Sequence, residues 1–202
     1  MANINQPSGF TPVGTIGAAG WNGVTHLYYI PSTDGSLMAI GDPVKVGSGS
    51  DAGGVPLVVK AGGTDAVRGV ITGFLLSAPN NISLQGTVLD NTTISIPATK
   101  SRDYYALVSD DPNTVYSVQG DSTATLQVAA SSNLNASFTV ATPANTYSPS
   151  ASVLTSSTFL ASNTLNLRCL GLERVAGNTF GAYARWLVKF NLTDLANGAT
   201  GA

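Results

Sequence analysis

Residues 104–119, YYALVSDDPNTVYSVQ, limit the possible folds of this chain more than any other stretch. Two runs rich in aromatic and β-branched residues flank residues 109–113, which include Asp, Pro and Asn. Aromatic and β-branched side chains favour strands, whereas Asp, Asn and Pro favour turns, so the stretch predicts a hairpin. The same pattern of apolar runs and turn residues recurs along the chain. It therefore predicts an all-β protein.

The scarcity of charged residues supports this fold class. Charged residues make up 10% of the 202 positions, and Glu173 is the only glutamate, whereas an average protein has about 25%. Glu and Lys populate helix surfaces, so their scarcity, together with 22 Gly and 10 Pro, argues against helices. We predict an antiparallel β-sandwich or β-barrel with long loops and an extended N-terminal arm.

Other apolar runs predict further strands. Residues 26–30 and 37–40 form a candidate hairpin, because the Asp34-Gly35 pair between them suits a tight turn. Residues 67–76 are predicted to form another strand, and its apolar run at 70–76 is expected to be buried on both faces. Additional strands are predicted at 44–46, 55–60, 93–96, 125–128, 137–140, 165–173 and 183–191. In the last of these, period-two alternation places Trp186, Val188 and Phe190 on one face.

The chain divides by composition into three parts. Residues 1–20 form an extended N-terminal arm, residues 21–195 the β domain, and residues 196–202 a flexible tail. Within the domain, residues 121–163 have no charge after Asp121, and we interpret them as a possible inserted loop or small lobe, with a surface loop at 141–157.

The N-terminal arm is polar and rich in Pro and Gly, with isolated apolar residues. A segment of this kind cannot fold alone, so we expect it to be disordered or to lie along a partner surface with Phe10 as its anchor. The first ten residues, MANINQPSGF, have neither the basic nor the apolar region of a signal peptide. We therefore expect synthesis in the cytoplasm and no membrane segment.

Few residues could support catalysis or metal binding. His26 is the only histidine and Cys169 the only cysteine, and no nucleophile-elbow serine motif is present. We expect a packed or surface His26, a buried Cys169, and no catalytic site, metal or cofactor. Residues 110–111 with Asn113 suit a turn better than a calcium site. The nine basic residues are scattered, so we expect no direct nucleic-acid binding.

Five segments of the chain resemble a family of small tailed-bacteriophage virion proteins. These proteins accompany the major capsid protein and are regarded as head decoration, or cement, proteins. The segments are NINQPSGFTPVGTIGAAGWNGVTHLYYIP at 3–31, IGDPV at 40–44, RGVITGF at 68–74, the predicted hairpin at 105–119, and LRCLGLERVAGNTFGAYARWLVKFN at 167–191. The resemblance covers the chain in order except for residues 121–163. It follows strand and turn patterns and brings no catalytic residues with it.

The resemblance implies a non-enzymatic protein on the capsid surface of a virion, where it binds the outside of the shell and stabilises it. The implied partners are the major capsid protein and further copies of the chain, as a homodimer or homotrimer. We place the capsid or subunit interface at Pro7, Phe10, Pro12 and Trp21. The alternatives are a tail or fibre component or a carbohydrate-binding β module, a tail-tube or connector subunit, and an enzyme.

Overall fold

The computed structural model describes residues 3–17, 20–75 and 89–195. These residues form β-sheets and two short 3-10 helices, and the described ranges contain no α-helix. The predicted all-β fold is therefore confirmed. No helix within these ranges is long and apolar enough to cross a membrane. The tail predicted at 196–202 lies outside the described residues.

The strands are numbered in chain order. They are β1 (Thr11–Thr15), β2 (His26–Ile30), β3 (Met38–Ala39), β4 (Pro43–Ser50), β5 (Pro56–Lys60), β6 (Gly69–Leu75), β7 (Leu89–Asp90), β8 (Ser95–Ile96), β9 (Tyr104–Ser109), β10 (Thr114–Gln119), β11 (Asn135–Thr139), β12 (Val153–Leu160), β13 (Leu167–Leu172) and β14 (Arg185–Phe190). The 3-10 helices are Ala124–Leu126 and Ala129–Ser131. Most strands belong to two large sheets, and β3 and β8 form a small third one.

Five strands of the first large sheet close into a barrel. Their order is β4-β5-β2-β9-β6, and β6 pairs back to β4. Neighbours around this barrel are antiparallel except for β2 and β5. The strand predicted at 67–76 is present as β6, and six of the seven residues of β6 are buried. Leu76 lies outside the described residues. The interior is filled by Tyr28, Ile30, Val44, Val58, Ile71, Phe74, Ala106 and Val108.

The second sheet has six antiparallel strands in the order β1-β10-β14-β13-β11-β12. Trp186, Val188 and Phe190 of β14 are all buried on the inner face, as the alternation predicted. They pack with Leu167 and Cys169 of β13. This core also includes side chains from the β5–β6 connection. The barrel and the second sheet therefore share buried contacts.

Residues 121–163, which we interpreted as a possible inserted loop or small lobe, contribute β11 and β12 to the second sheet. Asp121 covers part of the outer edge of β12. Its N–H donates to the Leu154 carbonyl at 3.0 Å, and its carboxylate accepts the Ser156 N–H at 2.8 Å and the Ser156 hydroxyl at 2.6 Å. The first half of this edge strand is therefore hydrogen-bonded within the chain.

The predicted hairpin at 104–119 is wrong in its pairing, although both of its strands are present. β9 pairs with β2 and β6 in the barrel, whereas β10 pairs with β1 and β14 in the second sheet. The turn has the predicted chemistry, since the Asp111 carboxylate accepts the Asn113 N–H at 2.8 Å. Turn residues reverse the chain but do not decide which strands pair. At this turn the chain passes from one sheet to the other.

The predicted pairing of residues 26–30 with 37–40 is also wrong. β2 lies between β5 and β9, while β3 pairs with β8. The loop between β2 and β3 is organised by the buried ammonium group of Lys100. This group donates to the carbonyl oxygens of Asp34 and Ser36 at 2.6 and 2.7 Å. A distant lysine therefore replaces the hairpin turn that Asp34-Gly35 suggested.

The strand predicted at 125–128 is not formed, because this part of the chain folds into the two 3-10 helices. Gln127 is fully buried there. Its amide donates to the Asp121 carbonyl at 2.7 Å and accepts the Trp186 indole N–H at 3.2 Å. Gln127, a polar residue of the alternating pattern, is thus buried and hydrogen-bonded within the protein. The end of the loop predicted at 141–157 belongs to β12.

The N-terminal arm is part of the fold. β1 pairs with β10 at the edge of the second sheet. Phe10 is 1% exposed, and its ring packs against Tyr116, Phe138 and Phe190 with centroid distances between 5.3 and 6.4 Å. The expectation that this arm is disordered or needs a partner surface is therefore corrected. The chain's own core buries the anchor, and this burial offsets the entropy lost on ordering.

Candidate functional site on the outer face of the second sheet

Side-chain amides hold the start of the N-terminal arm on the outer face of the second sheet. Asn3 donates to two backbone carbonyls of the β13–β14 connection, both at 2.8 Å. The side chain of Gln119 on β10 accepts the Gln6 N–H and donates to the Asn5 side chain, both at 2.9 Å. These bonds connect the arm to two different parts of the sheet. The arm therefore follows a defined path.

Gly9 allows the arm to pass close to the barrel. Its φ of +67° lies in the left-handed region, and a Cβ atom at this position would overlap the Gly41 carbonyl oxygen. The next residue, Phe10, donates its N–H to the same carbonyl at 2.9 Å. A side chain at position 9 would separate the arm from the barrel, so only glycine suits this crossing.

Residues 2–25 contain no charged side chain. This stretch nevertheless exposes four large aliphatic residues: Ile4 by 79%, Val13 by 38%, Ile16 by 50% and Val24 by 47%. Covering such a surface removes apolar area from water without the cost of burying unpaired charges. The N-terminal arm is therefore a candidate protein-binding surface.

The predicted interface residues fall into two groups. Pro7, Pro12 and Trp21 are half-buried, so part of each side chain is accessible. Phe10 fills the core and cannot contact a partner in this conformation. Sequence reasoning missed Ile4, the most exposed aliphatic residue of the arm. The sequence shows Ile4 as an isolated apolar residue of the arm but has no periodic signal that would assign it to an interface.

A cleft of about 530 Å³ lies between the arm and the β13–β14 connection. Ile4 and Val175 supply apolar lining, and Glu173, Tyr183 and Arg185 supply polar lining. Tyr183 has a φ of 60°, a conformation that residues other than glycine rarely adopt and that is frequent at binding sites. The described lining contains no histidine or cysteine. The cleft thus combines apolar and charged lining beside the N-terminal arm.

The outer face of β13 and β14 continues from this cleft. Arg168 on β13 lies directly opposite Lys189 on β14. Leu170 is exposed and Leu187 is half-buried on the same face, between that pair and Arg185 in the cleft. Basic and aliphatic side chains thus alternate beside the N-terminal arm.

His26, the one candidate for a general base, belongs to a network of polar side chains. Its Nδ1 atom lies 2.7 Å from one oxygen of Asp110, and the other oxygen accepts the Tyr28 hydroxyl at 2.7 Å. Arg68 donates to the Tyr28 oxygen at 3.1 Å and to Asp194 at 2.7 Å. The network ties the barrel to the β9–β10 turn and to the residues after β14. Sequence reasoning missed it because its members are far apart in the chain.

The Tyr28 hydroxyl links this network to the pH dependence of stability. Burial and the hydrogen bond to Asp110 raise the pKa of Tyr28 to about 12. A tyrosine in the unfolded chain titrates near a pKa of about 10, so the unfolded state releases this proton first as the pH rises. The stability that Tyr28 contributes is therefore complete below about pH 10 and is lost as the pH approaches about 12.

We expect the free energy of unfolding to fall between about pH 10 and pH 12, and to fall less steeply in Tyr28→Phe. The variant lacks the titrating group but keeps the ring, and near neutral pH it should lose about 1–3 kcal/mol because Asp110 and Arg68 lose a partner. Urea unfolding at several pH values measures both effects. If the free energy of unfolding fell equally steeply with pH in the two proteins, Tyr28 would not be the group responsible.

A second polar cluster is centred on Asp42, which is fully buried. One carboxylate oxygen lies 2.8 Å from the Lys60 ammonium group and accepts the Ala39 N–H at 2.9 Å. The other accepts the hydroxyls of Ser150 and Ser152. The cluster therefore joins the barrel to the segment that leads into β12. These serines are more than 100 residues away from Asp42, which is why the sequence did not indicate them.

Cys169 is buried on β13, as predicted. Burial raises the pKa of its thiol to about 12, so the thiolate that nucleophilic chemistry requires is strongly disfavoured. No group of three or more His, Cys, Asp or Glu side chains within the described ranges could hold a metal ion.

The fold is all-β, with a barrel and a second sheet, and the N-terminal arm leaves Ile4, Val13 and Ile16 exposed. Neither a protein-family model, nor a curated protein, nor a solved structure matches the chain.

Proposed function

We propose that the protein is a non-enzymatic virion protein that binds the outer surface of a bacteriophage capsid and stabilises the shell. The sequence resemblance supports this proposal, and one structural observation carries it. The uncharged N-terminal arm is held on the outer face of the second sheet while Ile4, Val13 and Ile16 remain exposed. The arm is thus available to a neighbouring protein without leaving its own domain.

A surface of this kind can hold capsid subunits together. Covering aliphatic side chains stabilises a contact by about 25 cal/mol per Å² before ordering costs. Those costs are small here, because the domain already orders residues 3–16. Many copies around a shell then act together through avidity. Separating the subunits under internal DNA pressure would require re-exposure of this apolar surface.

Replacing both Ile4 and Ile16 by serine should weaken capsid binding by about tenfold or more, because the variant loses two exposed aliphatic contacts. The measurement is co-sedimentation with DNA-filled capsids that lack the protein, followed by heating. The wild-type protein should bind saturably and raise the temperature of DNA release. Light scattering on the free protein separates the proposed homodimer from the homotrimer.

The matched control replaces Leu126 and Leu160, which are 41% and 61% exposed, by serine. This variant removes comparable aliphatic area outside the arm and should bind like the wild-type protein. Equal binding by all three proteins would exclude the arm as the contact, and no binding by the wild-type protein would exclude the function. Deletion of residues 2–14 is a poor test because it removes Phe10 from the core.

A further inference from the structure

The charges of the chain are unevenly distributed. Residues 166–190 contain four basic residues and one acid, whereas the rest of the chain has five basic residues and ten acids. This stretch includes β13 and β14, which lie side by side in the second sheet. A protein with a net charge of −2 therefore has a locally basic strand pair.

The geometry of this pair makes its positive charge costly in the free protein. Arg168 and Lys189 are directly opposite each other on adjacent antiparallel strands. Like charges at opposed positions destabilise a sheet. None of the salt bridges within the described residues includes Arg168, Lys189, Arg174 or Arg185. Among residues 3–17, 20–75 and 89–195, the polar contact of the Arg168 guanidinium is to the neutral amide of Asn135 at 3.4 Å.

We propose that the outer face of β13 and β14 docks an acidic surface of a partner protein, and that Arg168 and Lys189 recognise its carboxylates. Complementary charge relieves the repulsion between the two cations and steers association. The inference rests on the proposed function only in naming the capsid as the protein that provides the acidic surface.

The composition of the face favours an acidic protein over a nucleic acid. Leu170 and Leu187 share it with the cations, and Glu173 lies at its end. Apolar side chains among charges suit a protein interface, whereas a phosphate backbone requires a denser basic stripe without carboxylates. The face also borders the aliphatic N-terminal arm at Gln119. One partner could therefore cover both surfaces.

The test compares three proteins. The first is the wild type, and the second carries Arg168→Gln and Lys189→Gln. The third carries Lys45→Gln and Arg102→Gln, which makes the same change in net charge on the barrel. Two probes are used in parallel, an immobilised poly-L-glutamate peptide with duplex DNA as competitor, and DNA-filled capsids lacking the protein. Each is measured at low and high salt.

We expect the Arg168/Lys189 variant to bind poly-L-glutamate and capsids about tenfold more weakly at ~50 mM salt, with little difference near ~1 M salt. The Lys45/Arg102 variant should bind like the wild type. Relief of the like-charge contact should also raise the melting temperature of the first variant by about 1–3 °C at low salt, which shows that it is folded.

Equal binding of poly-L-glutamate by all three proteins would overturn the inference, as would a preference for DNA. If the wild-type protein and the Arg168/Lys189 variant bind capsids equally at every salt concentration, the inference fails and the proposed function stands. If the wild-type protein does not bind capsids, the proposed function fails. The peptide measurement then decides the inference separately.

Discussion

Phe10→Ala is expected to lower the free energy of unfolding by about 3–5 kcal/mol, the usual cost of removing a fully buried phenylalanine. The ring lies among Tyr116, Phe138 and Phe190, so its loss leaves a cavity in the core beneath the second sheet. A domain of this kind is stable by only about 5–15 kcal/mol, so the variant should be close to unfolding. Urea denaturation followed by tryptophan fluorescence measures the change.

Ile4→Ala is the matched control for this prediction. Ile4 belongs to the same arm but is exposed, so its truncation should change stability by less than about 0.5 kcal/mol. A Phe10→Ala protein as stable as the wild type would contradict the packing of residues 3–16 on their own domain. The arm would then have to be free in solution.

Asp42→Ala is expected to destabilise the protein by about 3–5 kcal/mol, because it leaves the Lys60 ammonium group without its carboxylate. Lys60 would keep one hydrogen bond, to the Leu37 carbonyl at 3.0 Å. Ser150 and Ser152 would also lose an acceptor. Thermal and urea unfolding both report this loss.

The comparison variant for this ion pair is Lys45→Ala. Lys45 lies 2.9 Å from Asp65 at a partly exposed position, so its removal should cost about 0–1 kcal/mol.

The double change Asp42→Asn with Lys60→Met should cost less than the sum of its single changes, because neither charge remains unpaired. Additive effects would show that the two buried groups do not stabilise each other.

The sequence predicted strand positions well where the signal was local. The strands predicted at 55–60 and 67–76 correspond to β5 and β6, and the alternation in 183–191 placed Trp186 on the inner face of β14. Period-two alternation reports the two faces of one strand, so it needs no knowledge of the neighbouring strand. Local patterns were therefore sufficient for these elements.

Strand pairing could not be predicted in the same way. The turn at 109–113 has clear hairpin composition, yet β9 and β10 enter different sheets. The partner of each strand is chosen by burial of whole faces, which depends on distant residues. Residues 125–128 show the same limit, since the burial of Gln127 is compensated by Trp186 about sixty positions later.

The candidate site was predicted in outline only. The sequence indicated the arm through its Pro, Gly and isolated apolar residues, and the interface was predicted at Pro7, Phe10, Pro12 and Trp21. The location of Phe10 in the core and the opposition of Arg168 and Lys189 depend on strand pairing. The scattered basic residues of the sequence therefore gave no sign of a basic face.

The hydrogen bonds of Asp121 to the edge of β12 have a consequence for solubility. From residue 122 to residue 163 the chain has no charged residue, and an exposed strand edge of this composition is a template for aggregation. Asp121 occupies the Leu154 and Ser156 backbone groups that a neighbouring copy would need for pairing, and it places a negative charge beside them. A single gatekeeper residue thus protects this edge when many copies are crowded together.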